Sequence, residues 1–353
     1  MHNMRKEGPS ASRRSIVARF GAAAVLLTAL LATIGCGSSS DNGGGGSSSG
    51  GGGKIDVVGY STPETVYTDS LQPTFQKTPA GKGVSFSDSF GASGDQSRAV
   101  VAGQSASLVH FSQAGDMSKL VDAGIVDSNW DQNKYKGIAE DSVVVLVVRK
   151  GNPKGIKSFD DLINKDVSVV TPNPFSSGSA RWNIMAIYGS QLAEGKSPTQ
   201  ALDAVKTVLS KAKAQPGSGS DALTAFTQGQ GDVLLSYENE AIKAQQAGED
   251  VDYVIPDDTI LIQTPIAVTK DAPAAAQKFL DFIWSDAGQR LWADNGYRPV
   301  NPKLVDPQKF PTPKGLYTID KFGGWDKVNT DFFDETTGKV AKIEADLGVS
   351  TAG

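Results

Sequence analysis

A single cysteine in 353 residues excludes an internal disulfide. With only two histidines, His2 near the start and His110 in an apolar stretch, little remains for metal or acid–base chemistry. No G-x-S-x-G elbow accompanies any serine, so a hydrolase triad would rest on His110 alone. The phosphate-loop spacing G-x-x-x-x-G-K-[ST] is missing as well. No heptad repeat and no basic block beyond the leader are present, and the formal charge of −5 argues against nucleic acid as a partner. No metal or cofactor is expected.

What is there begins with a leader. Arg5, Lys6, Arg13, Arg14 and Arg19 precede an uncharged apolar run from Phe20 to Ile34, shorter than the ~20 residues of a membrane span. Residues 1–35 therefore read as a signal peptide, in which Ser12-Arg13-Arg14 resembles a twin-arginine export signal, while a general secretory signal explains the charges equally well. Cys36 follows the run at once and resembles the lipid-carrying cysteine of a bacterial lipoprotein, although Thr33 departs from the leucine usual three residues before it. Residues 36–53 are almost pure Ser and Gly, a flexible tether that cannot form a core. Cleavage would take away five basic side chains and Glu7, moving the net charge from −5 to −9.

From Lys54 onward strands and helices alternate, the signature of α/β architecture with material for two cores. Lys54 to Tyr60 reads as a strand, followed by a helix carrying Val66, Tyr67, Leu71 and Phe75. Val84 to Ser87 and Ser107 to Phe111 read as further strands. The unbroken run Val143 to Val148 predicts a strand buried on both faces, and it opens a second alternation through Val167–Val170 and Val233–Tyr237. Both halves are expected to be parallel sheets.

Three turns share one chemistry. Ser93-Gly94-Asp95, Ser176-Ser177-Gly178-Ser179 and Gly217-Ser218-Gly219-Ser220 each lead from a strand or loop into an apolar helix. Such starts carry free N–H groups and hydroxyls, the makings of an anion seat. In α/β sheets ligands sit beyond the carboxyl ends of strands, where these turns fall. Other candidates are weaker. His110 reads as a core or cleft-lining residue. Glu238 and Glu240 invite a paired-carboxylate reading, but their side chains do not share a helix face and suit the first turn of the following helix. Arg181 is either a solvated helix residue or a support behind the anion seat.

Val148-Arg149-Lys150-Gly151-Asn152-Pro153-Lys154, Val170-Thr171-Pro172-Asn173-Pro174 with Ser177-Gly178-Ser179-Ala180-Arg181-Trp182-Asn183, Gly231-Asp232-Val233-Leu234, Tyr297-Arg298-Pro299 and Phe322-Gly323-Gly324-Trp325 carry a resemblance over nearly all of Val57 to Phe333. The chain resembles the periplasmic sulfate-binding proteins, receptors of sulfate or thiosulfate ABC importers, and with its leader the lipid-anchored actinobacterial type. That resemblance implies an α/β, two-lobed periplasmic-binding-protein fold of type II, with residues 54–142 and 263–353 in one lobe and 143–262 in the other. It implies a dehydrated sulfate in the cleft, held by neutral donors at Ser61, Ser93, Ser177, Gly178, Ser179 and Ser218, and at Tyr237. It also implies a monomer outside the cytoplasm, tethered to the membrane through Cys36, that delivers its cargo to a permease driven by a cytosolic ATPase.

Three positions depart from the family pattern. Tyr237 stands where the family has a tryptophan, Ser61 where it has an aspartate, and Asp95 where it has a lysine. Sulfate carries no proton near neutral pH, whereas phosphate must donate one, so a pocket of N–H and O–H groups suits sulfate and a carboxylate inside it would suit phosphate. Asp95 is expected to turn to solvent at the start of its helix. Thiosulfate, molybdate and phosphate remain open as cargo, as does a secreted hydrolase using Glu238 or Glu240.

Overall fold

The computed structural model describes residues 53–351. The expected signal peptide, Cys36 and all but the last residue of the tether lie outside the described residues. The chain opens with β1 (Lys54–Tyr60), then α1 (Glu64–Val66), which continues through a π turn (Tyr67–Leu71) into α2 (Gln72–Gln76). Val66, Tyr67, Leu71 and Phe75 are buried along it, as their spacing predicts. Next come β2 (Ser85–Gly91), α3 (Ser93–Val101), β3 (Leu108–His110) and α4 (Ala114–Asp122).

The second half runs β4 (Ile138–Arg149), α5 (Phe159–Asn164), β5 (Val169–Val170), α6 (Gly178–Ala193), α7 (Pro198–Ser210), β6 (Ala212–Ala214), α8 (Gly219–Thr227), β7 (Val233–Tyr237), α9 (Glu238–Gln246), β8 (Val251–Val254) and β9 (Asp258–Val268). The chain ends with α10 (Ala274–Trp284), α11 (Asp286–Asp294), β10 (Gly315–Tyr317), α12 (Gly324–Phe333) and α13 (Lys339–Asp346).

The strand order is β2-β1-β3-β9-β4-β7-β5-β6, with β8 beside β4 and β10 beside β9. Within each half the short strands are parallel: β1 with β2 and β3, and β5 with β6 and β7. The expectation of wholly parallel sheets fails at β4 and β9. β4 is antiparallel to β7, β8 and β9, and β9 is antiparallel to β3. These two long strands pair with each other and carry the chain between the halves, so their direction is set by crossing rather than by a local β-α-β turn.

The run 143–148 is buried throughout, and the pleat explains why it shows no alternation. Val144, Leu146 and Val148 face a layer with Trp182, Met185 and Val205, whereas Val143, Val145 and Val147 face one with Phe226, Leu234 and Ala241. Each such side chain contributes about 1.5–3 kcal/mol relative to exposure. In the first half Ile55 and Val57 pack with Tyr67, Phe75 and Phe279, while Val58 faces Val100, Phe111 and Leu120. The C-terminal segment leans on the second half. Trp325 meets Trp182 edge-on at 4.6 Å, and Val328, Phe332 and Val340 join the core around α6 and α7.

Candidate functional site

The starts of α3, α6 and α8 converge. Before each helix the preceding residue is extended, Ala92 at φ −61° and ψ 130°, Ser177 at φ −104° and ψ 121°, Ser218 at φ −136° and ψ 167°. The first N–H groups of a helix have no acceptor within it, so three sets of donors meet at one place. Between them lies a small, tight cavity, lined by Tyr60 at the end of β1, Ser61 and Thr62 after it, Gly91 to Ser93, Ser112 after β3, Ser177 to Ser179, and Gly219.

Every residue in that wall is uncharged. Helix dipoles and peptide N–H groups are the positive ends available, and they favour an anion. Ser179 Oγ is buried there with no partner in good hydrogen-bond geometry, only the Tyr237 phenol near enough to act on it, so a ligand oxygen would satisfy its demand. Among the described residues no group of His, Cys, Asp and Glu is arranged to hold a metal ion.

Five of the residues singled out from sequence, Ser61, Ser93, Ser177, Gly178 and Ser179, line the cavity. Their hydroxyls differ in what they have left to offer. Ser93 Oγ donates to Asp116 Oδ2 at 2.8 Å and accepts from the Ser112 N–H at 3.0 Å, so the group it retains for a ligand is its backbone N–H. Ser218 lies outside the wall. Its Oγ donates to Asp221 Oδ2 at 2.7 Å and accepts from the Asp221 N–H at 3.2 Å, capping its own helix, and Gly219 stands in the wall instead. Tyr237 also stands behind the wall, with its phenol oxygen 2.7 Å from Ser112 Oγ.

The charged candidates face away from the cavity. Asp95 is exposed and pairs with Arg98. Arg181 donates to the Pro174 carbonyl at 2.8 Å and to Asn329 Oδ1 at 2.9 Å, and its guanidinium lies over the Phe333 ring. Burial pulls Arg181 below its ordinary pKa, opposed by the charge of Asp116. Burial of Asp116 acts to raise its pKa, but Lys119 and Arg181 outweigh it and hold the carboxyl below its usual range.

His110 is a core residue. Its Nδ1 meets the Tyr67 hydroxyl at 3.0 Å and its Nε2 lies 3.1 Å from Thr264 Oγ1 and 3.2 Å from Glu140 Oε2. Glu238 is locked to Arg298 through two contacts of 2.6 and 2.9 Å. Glu240 accepts from Ser236 Oγ at 2.6 Å, and burial pushes its carboxyl up to about 7. Glu238 is thus committed to Arg298, while Glu240 stands just behind the wall, its Oε2 3.3 Å from where a Cβ on Gly219 would lie, and neither carboxylate has the other as an acid–base partner.

Sequence reasoning missed Ser112, Thr62 and Tyr60. A signal for Ser112 existed, since it follows a strand in parallel pairing, on the side where ligands bind. The wall is drawn from both halves of the sheet, and hydrogen bonds cross between them. The Gly94 N–H donates to the Ser176 carbonyl at 3.0 Å, Trp182 Nε1 to the Ser112 carbonyl at 2.7 Å, and the Ser220 N–H to Ser61 Oγ at 3.4 Å.

The family of bacterial extracellular solute-binding proteins is matched over residues 55–298. A sulfate-binding protein of Synechococcus elongatus is 37% identical over 295 residues, covering 80% of this chain and 84% of the relative. A thiosulfate-binding protein of Pseudomonas aeruginosa is 33% identical over 294 residues, covering 78% and 88%. Among solved structures, the sulfate-binding protein SubI from Mycobacterium tuberculosis superposes with a TM-score of 0.77 at 43% identity, over 80% of this chain and 99% of that one. An α/β fold of this topology, an uncharged cavity fed by three helix starts, and identities of this size over most of the chain lead to one assignment: the protein belongs to the sulfate-binding protein family of bacterial extracellular solute-binding proteins, a family of receptors and not of enzymes.

Proposed function

We propose that this chain binds sulfate in the cavity between its two halves and delivers it to the permease of an ABC importer. The observation that carries this reading is the wall itself, built from N–H and O–H groups of both halves with no charged side chain among them. A charge-assisted hydrogen bond contributes roughly 1.5–3 kcal/mol, so several of them offset desolvation without a fixed cation. The contacting groups in this reading are Ser61, the Ser93 N–H, Ser177, Gly178, Ser179 and the start of α8 after Ser218. Tyr237 acts from behind.

In the same reading the lobes divide at 142/143 and 262/263, the paired strands β4 and β9 forming the hinge, with the C-terminal helices seated on the second lobe. Sulfate stabilises the closed form, which is the form the permease engages. Cys36 carries the lipid that keeps the receptor at the outer face of the membrane, and the receptor acts as a monomer. Calorimetry with sulfate, thiosulfate, molybdate and phosphate tests the assignment. Sulfate is expected to bind most tightly, and preference for phosphate would overturn it. Thiosulfate is the second reading, supported by the name of the Pseudomonas relative.

A further inference from the structure

Ser112 is the cavity residue that is tied most firmly to both halves. It follows β3 in the first half, where its N–H donates to Ser93 Oγ at 3.0 Å. From the second half, Trp182 Nε1 donates to its carbonyl at 2.7 Å, and the Tyr237 phenol oxygen lies 2.7 Å from its hydroxyl. Gly178 packs against the same hydroxyl, with no room for a side chain between them. Backbone and side chain are thus pinned at a spot in the wall.

The partner hydroxyl is chemically specific. Tyr237 is wholly buried, and burial drives its phenol well above the ordinary pKa, so it keeps its proton. When the phenol donates to Ser112 Oγ, the Ser112 hydrogen is left for the cavity. An indole in place of Tyr237 would donate and nothing else, whereas two hydroxyls in series can run in either direction, the reversed phenol giving its hydrogen to Ser179 Oγ, the other hydroxyl beside it.

We propose that Ser112 contacts the bound oxyanion and, relayed by Tyr237, sets its specificity: the pair donates to a fully ionised anion such as sulfate and turns round to accept from a protonated one such as hydrogen phosphate. This rests on the reading of the cavity as the anion site. Its consequence is a receptor that discriminates between the two anions less sharply than a donor-only wall does, because the reversed pair gives the extra proton an acceptor.

The test is calorimetry of the full-length protein with sodium sulfate and with inorganic phosphate, on the unaltered chain and on Ser112→Ala, Tyr237→Phe, their combination, and Ser112→Ala with Tyr237→Trp. Ser112→Ala is expected to weaken sulfate binding about tenfold or more. Tyr237→Phe should weaken it by less, and the combination should be no weaker than Ser112→Ala alone, because the phenol acts through the serine. The tryptophan variant should raise the ratio of sulfate to phosphate affinity. Sulfate binding that ignores Ser112→Ala, or losses from the two single variants that multiply in full, overturns this inference alone. If Ser112→Ala does not fold, Tyr237→Phe decides, and an unchanged sulfate-to-phosphate ratio there overturns it. No sulfate binding by the unaltered protein overturns the reading of the cavity itself.

Discussion

Gly178 and Ser112 approach so closely across the cavity that a methyl on the Gly178 Cα would lie 2.6 Å from Ser112 Oγ and 2.8 Å from its Cβ. The two residues come from different halves of the sheet, so the missing side chain is a condition for the halves to meet.

Gly178→Ala is therefore expected to hold the cleft open. Sulfate affinity should fall at least about tenfold, the range expected when one charge-assisted contact is lost. Ligand-free stability should change little. Calorimetry paired with ligand-free thermal unfolding checks this, and full affinity in the variant would mean that the halves do not need this approach.

Ser177 and Ser218 provide a contrast between two residues of one type. Ser177 lines the wall and makes no capping bond with its side chain, whereas Ser218 caps α8. Ser177→Ala should weaken sulfate by an order of magnitude at nearly constant stability. Ser218→Ala should instead cost about 1 kcal/mol of stability, the usual value of an N-cap, with a smaller effect on sulfate. The two variants compared by calorimetry and urea unfolding would count against the assignment if their effects were exchanged.

The buried pair Glu238–Arg298 ties the start of α9 to the loop after α11. Removing one partner leaves an uncompensated buried charge, which costs about 3–5 kcal/mol. Glu238→Ala should lower the urea midpoint by a corresponding amount. A loss of less than about 1 kcal/mol would mean that the pair behaves as an exposed one.

Burial holds Glu240 at about 7, and burial with the charge of Glu140 holds Asp141 at about 7. Both values lie above those of the unfolded chain, so the folded state binds more protons than the unfolded one between roughly pH 4 and pH 7. Stability should therefore be greatest on the acid side of this window and decline as pH rises through 7. Glu240→Gln should remove part of the decline, worth on the order of 3 kcal/mol at pH 8. Urea unfolding across pH 5–8 reads it, and a profile unchanged by the substitution would show that Glu240 ionises without penalty.

Much of the receptor was legible before its folding was known. The three Ser- and Gly-built helix starts were, because a helix start depends on a few neighbouring residues. The strand at 143–148 was legible for a similar reason, since six apolar residues in a row can only be buried. The use of each hydroxyl was not. Ser93 and Ser218 read like Ser177 in sequence, yet Asp116 and Asp221 claim their hydroxyls, and Asp116 reaches Ser93 from another helix. Ser112 drew no notice because its partners, Trp182 and Tyr237, are 70 and 125 residues away.

By itself the sequence determined the alternation of strands and helices, the scarcity of charge and catalytic groups at the candidate turns, and the solvent-facing role of Asp95, all properties of local pattern. Only the tertiary structure decided that β4 and β9 run against their neighbours, that three helix starts share one cavity, and that Tyr237 stands behind Ser112. Those outcomes depend on contacts between residues far apart in the chain, which no local pattern specifies.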